Sequence, residues 1–228
     1  MARSANRDAG RRPDSVVVIG LGRFGKSLAL ELMAADIEVL GIDSSPRTVQ
    51  DLASRLTHVV QADSTDDRAM RQLSVPDFDR AVIGIGSDLE ASILTATVLM
   101  DVGVPNIWAK AVSYSHARIL TRLGVHHVVR PEHDMGRRVA HLVAGRMLDY
   151  IEFDDGFAMI KATPPDSIVD QPLGQTHIRS QFGVTVVAVK RSGQGFTYAT
   201  ADTVVRRGDL VIVSGRTRDV ERFSELSD

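Results

Sequence analysis

The sequence predicts an α/β protein: a Rossmann-like, doubly wound parallel sheet followed by a second, smaller α+β carboxy-terminal domain. Three observations carry this reading. Short β-branched apolar runs alternate with stretches of helical periodicity up to about residue 150. A Gly-x-Gly-x-x-Gly tract stands between the first run and the first helical stretch. Beyond Tyr150 the alternation stops, and strand-like runs are separated by turn signals instead.

Val16, Val17, Val18 and Ile19 read as a buried first strand. Residues 24–35 follow as a helix, with Phe24, Leu28, Leu32 and Ala35 at helical spacing. Residues 37–42 form the second strand. Pro46 then opens a helix at its first turn, where its missing N–H does no harm. Val59 and Val60 mark a short third strand and residues 66–73 a short helix. Residues 81–85, 106–112 and 125–129 are the next strands, separated by helices over 89–102 and 115–123. Pro131 starts a longer helix over 132–148, with Met135, Val139, Leu142, Val143 and Met147 as its apolar stripe.

The expected organisation is a disordered arm over 1–14, a nucleotide-binding domain over 15–150 and a small domain over 151–228. In the last, residues 157–162, 184–189 and 210–213 read as strands. Residues 178–182 precede the second of these as a helix, with Gly183 as a left-handed cap. Val184, Val186 and Ala188 alternate with Thr185, Val187 and Val189, so both faces of that strand are largely apolar. One face suits its own domain and the other a partner surface.

Composition narrows the function. The chain of 228 residues has 27 Lys and Arg against 29 Asp and Glu, a net charge of −2. That balance speaks against wholesale phosphate neutralisation, and no nucleic-acid partner is expected. Arg3, Arg7, Arg11 and Arg12 lie in an arm with no apolar segment, which is not a secretory signal. No apolar run is long enough to span a bilayer. With no cysteine, disulfides, thiolate catalysis and cysteine-ligated metal sites are out.

The chemistry centres on Gly20-Leu-Gly-Arg-Phe-Gly25. Gly20 permits the tight turn, Gly22 lets a phosphate approach the backbone, and Gly25 lets the helix pack on the strand. The helix amino terminus supplies N–H groups and a positive dipole to an anion. Asp43 ends the second strand eighteen residues after Gly25, where a carboxylate accepts from ribose hydroxyls and repels a 2′-phosphate. Asp63 ends the third strand and Gly84-Ile-Gly86-Ser87 ends the fourth, and these should flank the adenosine and the phosphates. Arg23, inside the loop, can reach a terminal phosphate bidentately. His126 and His127 are adjacent and face opposite sides of a strand. His133 and His141 are too far apart for one metal, and no Gly-x-Ser-x-Gly elbow is present. Neither metal-centred nor serine-hydrolase chemistry is expected.

These residues resemble a family. Residues 18–25, the tract Ile107-Trp-Ala-Lys110 and the tract Pro131-Glu-His-Asp-Met-Gly136 are similar to RCK (TrkA-type) regulatory proteins. Within that group they resemble the KtrA-like cytosolic subunits of bacterial Ktr/Trk potassium transporters. Asp170-Gln-Pro-Leu-Gly174, residues 182–190 and Gly208-Asp-Leu-Val-Ile-Val213 resemble the TrkA C-terminal domain. The resemblance implies a non-enzymatic gating subunit on the cytoplasmic face of a potassium-translocating membrane protein. It implies rings, typically octamers built from dimers, with residues 132–148 as the crossover helix to a neighbour. ATP or ADP, or NAD(H) in some members, would bind residues including Phe24 and Lys110, with ATP favouring the active transporter. Glu132 would help hold Mg²⁺ or Na⁺ between nucleotide phosphates. In some members the carboxy-terminal domains pair and take cyclic di-AMP in the cleft between them; such members carry an arginine where Arg179 falls, and an asparagine where this chain has Thr185. The rivals are an NAD-dependent oxidoreductase, which shares the glycine loop and Asp43, and an NAD(H)-sensing regulator of a potassium channel. A redox-sensing transcriptional regulator needs a basic winged-helix segment, which the arm is too short to provide.

Overall fold

A strand buried on both faces must be apolar throughout, and β1 (Ser15–Ile19) is buried at every position. In this computed structural model the described residues are 15–144 and 147–226. The amino-terminal arm lies outside them. β1 pairs in parallel with β2 (Glu38–Asp43) on one side and β4 (Arg80–Ile83) on the other. With β3 (His58–Gln61), β5 (Asn106–Lys110) and β6 (His127–Val129), the six-stranded order is β3-β2-β1-β4-β5-β6. The chain runs outward from β1 in one direction and then the other, so a crevice opens between β1 and β4 at the carboxyl ends of the strands.

Two apolar layers cover this sheet. Val16 and Val18 face α1 (Arg23–Ala34) and α2 (Pro46–Leu52), packing with Ala29 and Leu52. Val17 and Ile19 face α3 (Asp67–Gln72), α4 (Leu89–Asp101) and α5 (Tyr114–Arg122), packing with Met70, Leu99 and Leu120. Side chains alternate across a strand, so four consecutive β-branched residues serve both layers. Ser45, Asp66, Asp88 and Ser113 cap α2 to α5 through side-chain oxygens. α1 begins instead at Gly22, which has no side chain to spend on its first turn.

The second compact unit starts at His133. α6 (Pro131–Val143) begins in the first unit and runs into the second. β7 (Asp149–Phe153), β8 (Phe157–Ala162), β9 (Val184–Lys190), β10 (Phe196–Tyr198) and β11 (Leu210–Arg216) form an antiparallel sheet, order β10-β9-β11-β8-β7. One face packs Ile160, Val186 and Val213 against Ile178 of α7 (Ile178–Phe182) and Val220 and Phe223 of α8 (Thr217–Ser224). Ile151, Phe153 and Phe157 lie exposed on the opposite face. Gly183 caps α7 at φ 72°, the left-handed conformation that favours glycine.

The structure departs from the periodicity around residue 147. The helix expected to reach Leu148 ends at Val143, and residues 145 and 146 lie outside the described ones. Met147 is buried in the second core, and the Leu148 N–H donates to the Lys161 carbonyl at 2.7 Å. Ladder pairing with β8 takes over from helical spacing there. β7 therefore spans the expected domain boundary at 150. β7, β10 and α8 have no counterpart among the expected elements.

α6 has no buried residue. Its Arg138 pairs with Asp149 at 2.6 Å, its Arg137 with Glu152, and its His141 ring stacks on Tyr150 at 4.0 Å. Met135, Val139 and Val143, four residues apart, form an exposed apolar stripe.

Candidate nucleotide-binding crevice

The first unit holds a cavity of about 1040 Å³ at the carboxyl ends of β1, β2 and β4. Its floor is the turn from β1 to α1. Gly20 sits at φ +83° and its N–H donates to the Ile42 carbonyl at 2.8 Å. A Cβ on Gly20 would lie 2.8 Å from the Ile85 nitrogen. A Cβ on Gly25 would lie 2.0 Å from the Gly20 carbonyl oxygen, and one on Gly84 2.6 Å from the same atom. Gly25 is thus packed behind the turn and does not line the cavity. Gly22 differs: it lines the cavity, and a Cβ there would meet nothing within 4 Å. The α1 amino terminus opens at this point, offering backbone N–H groups and the positive end of the helix dipole.

Asp43 stands at the end of β2 on the cavity wall. One carboxylate oxygen accepts the Leu21 N–H at 2.7 Å, the other the Ser45 N–H at 2.8 Å. It therefore braces the glycine turn as well as facing the crevice, a task its sequence position did not reveal. Asp63 lines the cavity after β3. The Thr65 hydroxyl, at 2.7 Å, and the Thr65 N–H, at 2.9 Å, both donate to one of its oxygens. Those bonds hold the Asp63 carboxyl below the usual carboxylate range. The next residue, Ser64, is tied to Thr95 of α4 by a buried hydroxyl pair at 2.7 Å, which fixes this loop from behind.

The far end of the crevice is charged. The Lys110 ammonium, at the end of β5, donates to Glu132 in the first turn of α6 at 2.5 Å. It also lies 5.8 Å from the centroid of the Phe24 ring. Gly86 borders it: a Cβ there would stand 3.4 Å from the ammonium and a tight 3.1 Å from Val112 Cγ1. The Lys110 side chain is only 12% exposed, that of Glu132 65%. The lysine hydrogen bond, aided by the nearby Arg23 charge, holds the Glu132 carboxyl below its ordinary range. Arg23 is exposed on the same cavity wall. One crevice thus gathers every expected first-domain residue except Gly25. It also holds Gly84, Ile85 and Ser87, as expected, and adds Ser44, Ser45 and Asp88, residues just past the strand ends that the fold rule could have indicated.

Arg179 lies in a separate cavity of about 570 Å³ in the second unit. Its Nε donates to the Thr185 hydroxyl at 3.2 Å, so the two residues form one polar feature in a wall that includes Ile178, Val186 and Ala199.

The histidines have separate tasks. His126 Nδ1 accepts the Ile107 N–H at 3.1 Å, while the His127 ring stacks on Trp108 at 4.0 Å. Among the described residues no group of three or more His, Cys, Asp or Glu is placed to hold a metal. His116 is buried, and its Nδ1 accepts the Val112 N–H at 3.4 Å beside the crevice.

The TrkA-N domain matches residues 16–131 and the TrkA-C domain residues 157–228. The chain belongs to the TrkA-type (RCK) family. This TrkA-type chain is 34% identical over 209 residues to Ktr system potassium uptake protein C of Bacillus subtilis (strain 168), covering 91% of this chain and 95% of that one. It is 31% identical over 207 residues to Ktr system potassium uptake protein A of the same organism, covering 90% and 93%. Its fold is shared with the GsuK channel bound to NAD, at TM-score 0.65 and 15% identity over 94% of this chain and 39% of that one.

Gly25→Ala should destabilise the first unit by about 1–3 kcal/mol or more, because backbone must move to admit the methyl. Gly22→Ala should cost about 1 kcal/mol or less. Urea unfolding of both variants checks the contrast. Burial pushes the His116 imidazole below its ordinary pKa. The folded state therefore binds fewer protons there than the unfolded chain. The associated stability is present above about pH 6.5 and is lost as pH falls through the lowered value. Unfolding curves between pH 7.5 and 5 should show a shallower acid loss in His116→Gln than in the parent.

Proposed function

We propose that this protein is a nucleotide-sensing gating subunit of a potassium uptake system, a regulator and not an enzyme. The observation that carries the reading is the single crevice that unites the glycine turn, Asp43 and the Lys110–Glu132 pair at the sheet's switch point. Its similarity to Ktr system proteins along nearly the whole chain supplies the transported ion and the partner, a membrane-embedded potassium-translocating subunit. In this reading the subunit docks on the cytoplasmic face of that partner; among the described residues of this chain no helix is long and apolar enough to cross a membrane. The exposed stripe on α6 suits the crossover to a neighbouring subunit in a dimer-built octameric ring. A nucleotide that fits one ring shape better shifts the population toward it, by no more than its differential affinity.

In this reading the ribose hydroxyls meet Asp43, the phosphates lie over Gly22 and the α1 amino terminus, and Arg23 meets the terminal phosphate of ATP. Glu132 contributes one oxygen to Mg²⁺ or Na⁺. With Lys110 beside it, and no group of three or more His, Cys, Asp or Glu placed to hold a metal among the described residues, phosphate oxygens would supply the other ligands. NAD(H) is the second reading, favoured by the same acid at the end of β2. In titrations of the full chain, Asp43→Ala should weaken adenine nucleotides by about 1.5–3 kcal/mol, and NADP should bind less well than NAD. Arg23→Ala should lower ATP affinity more than ADP affinity; an equal loss would make Arg23 a general phosphate anchor.

The second cavity reads as a cyclic di-AMP site between paired carboxy-terminal domains, with Arg179 on a phosphate. Thr185 brings a hydroxyl but no amide to the base, so weak binding is expected. Calorimetry should give heat with the wild-type chain that Arg179→Ala abolishes. No heat from the dimeric wild type leaves this domain as a dimerisation module.

A further inference from the structure

From the ion pair at the crevice end, we infer that Lys110 exchanges partners: ligand phosphate competes with Glu132 for its ammonium, and the exchange releases a tether on the first turn of α6. The inference rests on the nucleotide reading above.

The geometry sets up a competition. Lys110 is nearly buried, held over the Phe24 ring and under the bare backbone of Gly86, so its ammonium has little freedom to retreat into water. Glu132 is mostly exposed and can be rehydrated at low cost. Both residues line the same cavity as Gly22 and the start of α1, where an anion is drawn by the helix dipole. A phosphate entering there brings more negative charge than one carboxylate to the same cation. Glu132 belongs to the first turn of α6, and α6 leads from the crevice-bearing unit into the second. The pair is therefore a direct side-chain link between the crevice and that helix.

A competitor has a diagnostic sign: its removal tightens binding. In full-chain titrations with EDTA, where the cation role of Glu132 does not enter, Glu132→Gln should bind ATP and ADP about three- to tenfold tighter than wild type, with adenosine unchanged. Lys110→Met should weaken ATP and ADP but not adenosine. Adding Glu132→Gln to Lys110→Met should then change nothing, because the carboxylate acts only through the lysine. Hydrogen exchange along α6 should rise when wild type binds ATP, and should start at the raised level in Glu132→Gln. Tightening that persists without Lys110 would show simple charge repulsion and overturn the exchange. So would unchanged affinity in Glu132→Gln, or α6 exchange that ignores ATP. If wild type binds none of the three ligands, the nucleotide reading falls and this inference with it.

Discussion

The carbonyl oxygen of Gly20 is approached so closely by Gly25 and Gly84 that a side chain at either position would force the backbone to move. That contact lets the β1–α1 turn press against the loop after β4, and the crevice follows from it. It aims the start of α1 across the strand ends and places Gly22 where backbone alone faces the open space. Asp43 completes the arrangement from the other side by taking the Leu21 N–H. Turn, helix terminus and acid are thus one mechanical unit, and a change at any of them moves the others.

Much of this was legible because it is local. A glycine pattern between a strand and a helix specifies a turn, and an acid at the next strand end specifies a place beside it. The six parallel strands followed from β-branched runs spaced by helical periods. The second unit was less legible for a physical reason. β7 alternates Tyr150 and Glu152 against Ile151 and Phe153, and as an edge strand beside a polar helix it exposes apolar residues on one face. β10 has three residues, all exposed. α8 is held chiefly by Val220 and Phe223, too few apolar residues for a periodic signal. In each case tertiary contact, not local pattern, decides the structure.

The Lys110–Glu132 pair shows the same limit at the site. Both residues were recognisable as site members from their family tracts, yet they are 22 positions apart and only the fold makes them partners. The bracing role of Asp43 was hidden in the same way. Residue identity gave the chemistry, whereas three-dimensional placement gave the couplings between residues.

α6 inverts the usual arrangement of an amphipathic helix: salt bridges and a ring stack hold its later turns to β7 of the second unit, while its apolar stripe stays exposed. Trp108, the chain's one tryptophan, offers a way to watch the opposite end of that connection. Its indole stacks on His127 at the sheet edge, and it shares a strand face with Lys110, two residues on. The protein thus carries a native chromophore whose emission reports on the sheet edge beside the lysine, without a label or an added residue.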